Sequence, residues 1–129
     1  MSYESDITAF ILASPSLAAV IGDRFFWDIA DGTTATPYVV AQTVSDDGET
    51  PHDGRRGASF PTIQFSCWAT TKAAAVNLGE LLRRELEGVQ LPGDSFCSLS
   101  FQNRVSTYDT TTRLFGIQID FRASHQLDN

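Results

Sequence analysis

The sequence predicts an α+β fold in which an antiparallel sheet of about four strands has its helices packed on one face. Two pairs of strand-like segments are separated by one long amphipathic helix. The clearest strands alternate apolar and polar residues, which is typical of a sheet with one buried and one wetter face. A chain of 129 residues that is 42% hydrophobic suits one hydrophobic core. We therefore expect residues 1–129 to form a single domain.

The N-terminal part predicts two helices and then an extended segment. Apolar residues recur at helical spacing over Tyr3–Ala13, which predicts the first helix. Ser14 is placed to cap a second, short helix that starts with Pro15 and ends at Gly22. The following "RFFW" is either a short strand or an extended lead-in to the next element.

The middle of the chain predicts two strands joined by a long loop. Tyr38–Ser45 is rich in β-branched residues, which favours a strand. The next strand lies in "ASFPTIQFSCWAT", where Trp68 falls on the face opposite the apolar one. The apolar face of that strand is expected to hold Ile63, Phe65, Cys67 and Ala69.

The clearest helix is expected from about Thr71 to Glu87, and two strands follow it, at about Phe96–Thr107 and Arg113–Ser124. Gly79 lies inside this helix and is expected to permit close packing against a strand. Two i,i+4 ion pairs are expected on the outer face, Glu80 with Arg84 and Arg83 with Glu87. The core is expected to include Phe65, Leu78, Leu82, Phe115, Ile117, Ile119 and Phe121.

The stretch "SDDGETPHDGRRGAS" between the middle strands is the one segment rich in charged and metal-ligating residue types. It contains Asp46, Asp47, Glu49, His52, Asp53, Arg55 and Arg56. The spacing does not fit a calcium loop, because neither register places Gly at the sixth position and Glu at the twelfth. The stretch also lacks the phosphate-loop pattern, and a zinc site would need nitrogen or sulfur ligands besides His52, whereas the only other histidine, His125, lies in the C-terminal tail. We expect no metal and no cofactor here.

Two interpretations of this loop remain open, a solvated hairpin loop and an interaction arm that becomes ordered in an assembly. Loops of about a dozen residues without structure of their own are uncommon in compact domains. We favour the arm and expect its charged residues to contact a neighbouring subunit or partner. Trp68 is a further candidate contact, since aromatic residues are enriched at subunit interfaces. A second, minor core around Trp68 is the alternative.

The remaining residues give no indication of an enzyme. Cys67 and Cys97 form no CxxC motif and fall on expected core faces, so both are predicted to be buried free thiols. No Ser or Cys has a histidine placed by a known catalytic signature. The N-terminal segment lacks a basic region and is interrupted by Pro15, so neither a signal peptide nor a membrane span is expected.

The charge of the chain bears on its partners. The formal net charge is -7 and the pI is about 4.5. Such a chain has no general attraction for phosphate backbones, so specific binding of nucleic acid is not expected.

Four segments of the chain resemble the tail-completion, or tail-terminator, proteins of long-tailed bacteriophages and related phage-derived particles. They are "SLAAVIGDRFF", "TPYVVAQTVSDDG", "IQFSCWATTKAAAVNLGELLRREL" and "TRLFGIQIDFRAS", and together they cover nearly the whole chain in order. The resemblance implies a hexameric ring that caps the tail tube, stops its polymerisation and offers a surface to the head-tail connector protein. DNA would pass through this ring without specific binding. The resemblance also implies a place in the virion at the head-tail junction, after assembly in the host cytoplasm.

Two other functions compete with a terminator. The first is another tail-tube or head-tail connector subunit, and a closed ring rather than an open filament would distinguish the terminator from it. The second, less favoured, is a small ligand-binding domain or enzyme. That function needs a pocket with convergent polar groups, and the sequence shows no such cluster.

Overall fold

The computed structural model describes residues 3–30, 35–48, 58–87, 90–91 and 97–126. These residues form three helices and six strands, in the chain order α1 (Tyr3–Ala13), α2 (Pro15–Ile21), β1 (Phe25–Trp27), β2 (Tyr38–Gly48), β3 (Ala58–Ala69), α3 (Lys72–Leu86), β4 (Gln90–Leu91), β5 (Cys97–Asp109) and β6 (Leu114–Gln126). The predicted α+β class is confirmed.

The strands form one sheet in the order β1-β2-β3-β6-β5-β4. All neighbouring strands are antiparallel except β1 and β2, which run parallel over three residue pairs. The sheet contains the four predicted strands and, in addition, the short strands β1 and β4, which are only three and two residues long. Strands this short carry no periodic signal.

The core lies between one face of the sheet and the helices. Helix α3 packs on β3 and β6 because its apolar residues recur at helical spacing on one side. Phe65 and Phe121 meet edge to face in the middle of the sheet, with ring centroids 5.7 Å apart. Six of the seven predicted core residues are buried, and Phe115 is partly buried against the same core. The buried six are Phe65, Leu78, Leu82, Ile117, Ile119 and Phe121.

Gly79 brings α3 unusually close to the sheet, as predicted. A Cβ atom at this position would lie 2.9 Å from Cγ2 of Ile117 and 3.3 Å from Cδ1 of Ile119. The absent side chain therefore sets the distance between helix and sheet.

The N-terminal helices are tied to the rest of the fold by side-chain hydrogen bonds. The backbone N–H of Leu17 donates to Oγ of Ser14, which confirms the predicted cap of α2. The Ser14 hydroxyl donates in turn to Oε1 of Glu85 on α3, at 2.5 Å. The indole N–H of Trp27 donates to Oγ1 of Thr8 on α1, at 2.7 Å.

No single helix among the described residues is long and apolar enough to span a membrane. Helices α1 and α2 taken together pass that test of length and composition, but they are bent by 83° relative to each other.

Of the two ion pairs predicted on α3, one forms as predicted and the other has a different partner. Arg83 and Glu87 lie 3.6 Å apart, as expected. Glu80 instead lies 3.5 Å from Arg104 of β5, because the antiparallel sheet brings that strand beside the helix. Arg83 also stacks on the ring of Phe101, at 3.8 Å from its centroid.

Candidate interaction surfaces

The structure places the predicted contact residues at opposite ends of the sheet. Asp46 and Asp47 belong to β2, where they pair with Pro61 and Phe60 of β3. The prediction that they lie in a loop was wrong, since strand pairing continues past Ser45 after a register shift. Trp68 pairs with the first residue of β2. At about 3.3 Å per residue, eight residues of strand separate it from Asp46 by about 25 Å.

The other predicted contact residues of this stretch are Glu49, His52, Asp53, Arg55 and Arg56. They lie outside the described residues, so their role as an interaction arm stays a prediction.

Trp68 lies on the face of the sheet opposite the core, which none of the described helices covers. Its ring packs against Gly116, its direct neighbour on strand β6. A Cβ at Gly116 would lie 2.7 Å from Cζ3 of Trp68 and 2.9 Å from Cγ2 of Thr107. The indole is only partly buried by this contact. It therefore forms a small second layer and still presents surface to solvent.

A shallow groove of about 410 Å³ runs along this open face beside Trp68. Three glutamines, Gln42, Gln64 and Gln118, line it together with polar and aromatic residues of β2, β3 and β6. Gln42 and Gln64 are direct cross-strand neighbours. Neutral amides with two donors and an acceptor suit contacts with another protein surface better than they suit acid-base chemistry.

Asp109 shapes the end of this groove. Its carboxylate accepts hydrogen bonds from the backbone N–H of Thr111 at 2.9 Å and of Thr112 at 3.4 Å, which fixes the turn between β5 and β6. Partial burial, and then the negative charge of Asp109, raise the pKa of the Tyr38 phenol. The phenol is therefore a neutral hydrogen-bonding group at physiological pH.

Cys67 lies on the covered face and not in the groove. It is fully buried, and burial raises the pKa of its thiol to about 12. A protonated, inaccessible thiol is a poor nucleophile. No group of three or more His, Cys, Asp or Glu side chains that could hold a metal ion occurs within the described part of the chain.

Exposed apolar side chains mark the two edges of the sheet, and the sequence analysis did not identify them. At one edge, Val105 and Tyr108 of β5 are 45% and 47% exposed. At the other, Ile29 after β1 is 80% exposed and Val44 of β2 is 55% exposed. The register shift beside Val44 would not be visible in the sequence, and Ile29 follows a strand of three residues. Exposed apolar residues of this kind are candidate contact residues.

The described residues thus form an α+β fold with a groove on one face of its sheet and exposed apolar side chains at both sheet edges. The chain belongs to the family described as Tail completion protein gp17, whose model matches residues 5–126. Family membership gives the chain a structural role in a phage-type tail. The predicted resemblance to tail-completion proteins is thereby confirmed.

The fold recurs in solved structures. Nineteen chains match significantly. One of them belongs to the structure titled "Virion of native gene transfer agent (GTA) particle", with a TM-score of 0.78 and 19% sequence identity over 96% of this chain and 94% of that chain. At this identity the likeness shows the shared fold alone. No curated protein matches the chain significantly.

Proposed function

We propose that this protein is a tail terminator, whose copies form a ring that caps the finished tail tube and stops its polymerisation. The observation that carries the proposal is the family match over residues 5–126, which spans all the described helices and strands except the first two residues of α1. The similarity in fold to a chain of a gene transfer agent virion supports it.

In this proposal residues 1–129 act as one domain, and six copies form the ring at the head-tail junction of the virion. One side of the ring contacts the tail tube protein and the other contacts the head-tail connector protein. The ring assembles in the host cytoplasm. With a net charge of -7 per chain, it repels the DNA backbone and favours passage over binding.

A tail-tube or connector subunit is the second candidate. The exposed apolar residues at two different sheet edges are compatible with it, since contacts between unlike surfaces give either closed rings or open helical filaments. The same surfaces are therefore compatible with a capping ring and with a stacking tube.

Assembly behaviour distinguishes the two candidates. Purified protein is analysed by native mass spectrometry and negative-stain electron microscopy, alone and after mixing with preformed tubes of the matching tail tube protein. The terminator proposal expects a closed ring of six copies at the ends of tubes, and tubes that no longer elongate when more tube protein is added. Open filaments of this chain, or continued elongation, would contradict it.

A further inference from the structure

We infer that copies of this protein join through their sheet edges, with the outer edge of β5 in one copy pairing with the outer edge of β2 in the next. The inference rests on the proposed function, because it names the contact by which the ring is built. It identifies a second copy of this chain as the partner of both edges.

The edge at β5 is long and largely unpaired. Of its residues only Cys97 and Ser98 pair with β4, so the outer side of Leu99–Asp109 has no strand partner among the described residues. Edge strands of soluble proteins are usually short or protected by Pro, Lys or bulges. The part of β5 after the register shift between Phe101 and Asn103 carries no further shift and contains no proline. The outer side of this part of β5 is therefore free to pair with a strand of another molecule.

The edge at β2 is the second available template. Strand β1 pairs only with Val39–Ala41 of it, and no other strand of the described residues pairs with the outer side of β2. The register shift at Val44 divides this edge. A partner strand would therefore pair on either side of the shift, and the exposed Val44 side chain would lie against that partner.

Strand direction suits pairing between the two edges. Strand β2 is antiparallel to β3, β3 to β6, and β6 to β5, so β5 and β2 run in opposite directions within one subunit. Placing two copies side by side in the same orientation therefore brings β5 antiparallel to the β2 of the neighbour. This arrangement repeats without reversing the subunit, as a heterologous ring contact requires.

The edges are also complementary in charge and in apolar character. The β5 edge carries Arg104, whose ion pair with Glu80 is half exposed and therefore weak. The β2 edge carries Asp46 and Asp47. Each edge also exposes an apolar side chain, Val105 on β5 and Val44 on β2. Arg104 on one edge and two aspartates on the other favour a second copy, because the copy supplies both partners.

Charge reversal tests the pairing. The variants are Arg104→Glu and the double variant Asp46→Lys/Asp47→Lys, with Arg84→Glu on the exposed side of α3 as the matched control. Each edge variant alone should raise the concentration needed for half-assembly by about tenfold or more, because like charges then meet at every contact. The control should assemble like the wild type. An equimolar mixture of the two edge variants should recover assembly, since each variant then offers the edge that the other needs.

Hydrogen-deuterium exchange of assembled and dissociated wild type supplies the second measurement. Backbone pairing should slow exchange at least tenfold within Asn103–Asp109 and within Gln42–Gly48. Urea unfolding of each variant shows whether the subunit itself is intact.

The outcomes separate this inference from the proposed function. Rings that form with no protection at either edge, or edge variants that assemble like the wild type, would overturn the edge contact and leave the terminator proposal standing. Protection at β5 alone would indicate pairing between two β5 edges and would also overturn it. Wild type that forms no oligomer, alone or on tubes, would overturn both.

Discussion

Replacement of Gly116 by alanine should destabilise the protein through its contact with Trp68. The added methyl group would lie 2.7 Å from Cζ3 and 2.9 Å from Cε3 of the indole, and 2.9 Å from Cγ2 of Thr107. Contacts below 3 Å force a side chain or the backbone to move. Overpacking of this kind typically costs about 1–3 kcal/mol of unfolding free energy.

Urea unfolding followed by tryptophan fluorescence measures this loss. With a slope of about 1.5–2 kcal/mol/M for a chain of this size, the midpoint of Gly116→Ala should fall by about 0.5–2 M. The slope itself should not change, since the change is local. A midpoint within about 0.2 M of the wild type would refute the close packing of the indole on Gly116.

A double-mutant cycle with Trp68→Leu assigns the effect to the indole. If the methyl group acts mainly against the ring, Gly116→Ala should cost less in the Trp68→Leu background by about 1 kcal/mol or more. An unchanged cost in that background would assign the strain to Thr107 or to the backbone. Far-ultraviolet circular dichroism, a signal independent of Trp68, should follow unfolding in the leucine background.

Two further predictions concern the core. Leu82→Ala should lower the free energy of unfolding by about 2–5 kcal/mol, because Leu82 is fully buried between α3 and the sheet. The control Asn77→Ala, on the exposed side of α3, should change the free energy of unfolding by less than about 0.5 kcal/mol. Cys67 should resist alkylation at pH 8 in the folded protein, and intact-mass analysis under denaturing, non-reducing conditions should show both Cys67 and Cys97 labelled. Burial raises the pKa of Cys67 from 9.0 to about 12. The contribution of the buried, protonated thiol to the free energy of unfolding should therefore be full below pH 9 and decrease as pH rises toward 12. A free energy of unfolding that rises over this range would contradict the burial of Cys67.

Sequence patterns predicted the elements whose signals extend over many residues. The apolar face of α3 recurs over four turns, and Ile63, Phe65 and Cys67 alternate without interruption, so both elements were identified within a few residues of their ends. Tertiary pairing decided the others. Asp46, Asp47 and Gly48 are poor strand formers, and they extend β2 because β3 supplies partners for their backbone.

The candidate surfaces were less predictable for the same reason. The sequence identifies Trp68 as an aromatic residue on the polar side of a strand. Its packing against Gly116, however, depends on the pairing register of two residues that lie 48 positions apart in the chain. The free edges are properties of strand order, which no local pattern in β5 or β2 reveals.

The predicted arm at residues 49–57 lies outside the described residues, but the strand ends on either side of it are described. It connects Gly48 to Ala58 at the end of the hairpin, where Gly48 pairs with Ser59, and so it leaves the sheet at the end of the proposed β2 edge. In a ring built through that edge, we predict that the arm contacts the neighbouring subunit and that Arg55 and Arg56 form forked pairs with its carboxylates.

Replacing residues 49–58 with a two-residue Asn-Gly turn should therefore keep the subunit folded, since such a turn joins directly paired residues, as Gly48 and Ser59 are. The shorter loop should stabilise the subunit by about 1 kcal/mol through its lower closure entropy. Ring formation or tube capping should nevertheless weaken, and a control loop of nine Gly and Ser residues in place of residues 49–57 should show the same defect, because it restores length without side chains. Normal capping by both variants would refute the arm. A stoichiometric metal in the wild type that both variants lose would instead identify the loop as a ligand site. Protection of Asn103–Asp109 in the residual rings would show that the β5 edge contact forms without the arm, which separates the two contributions to assembly.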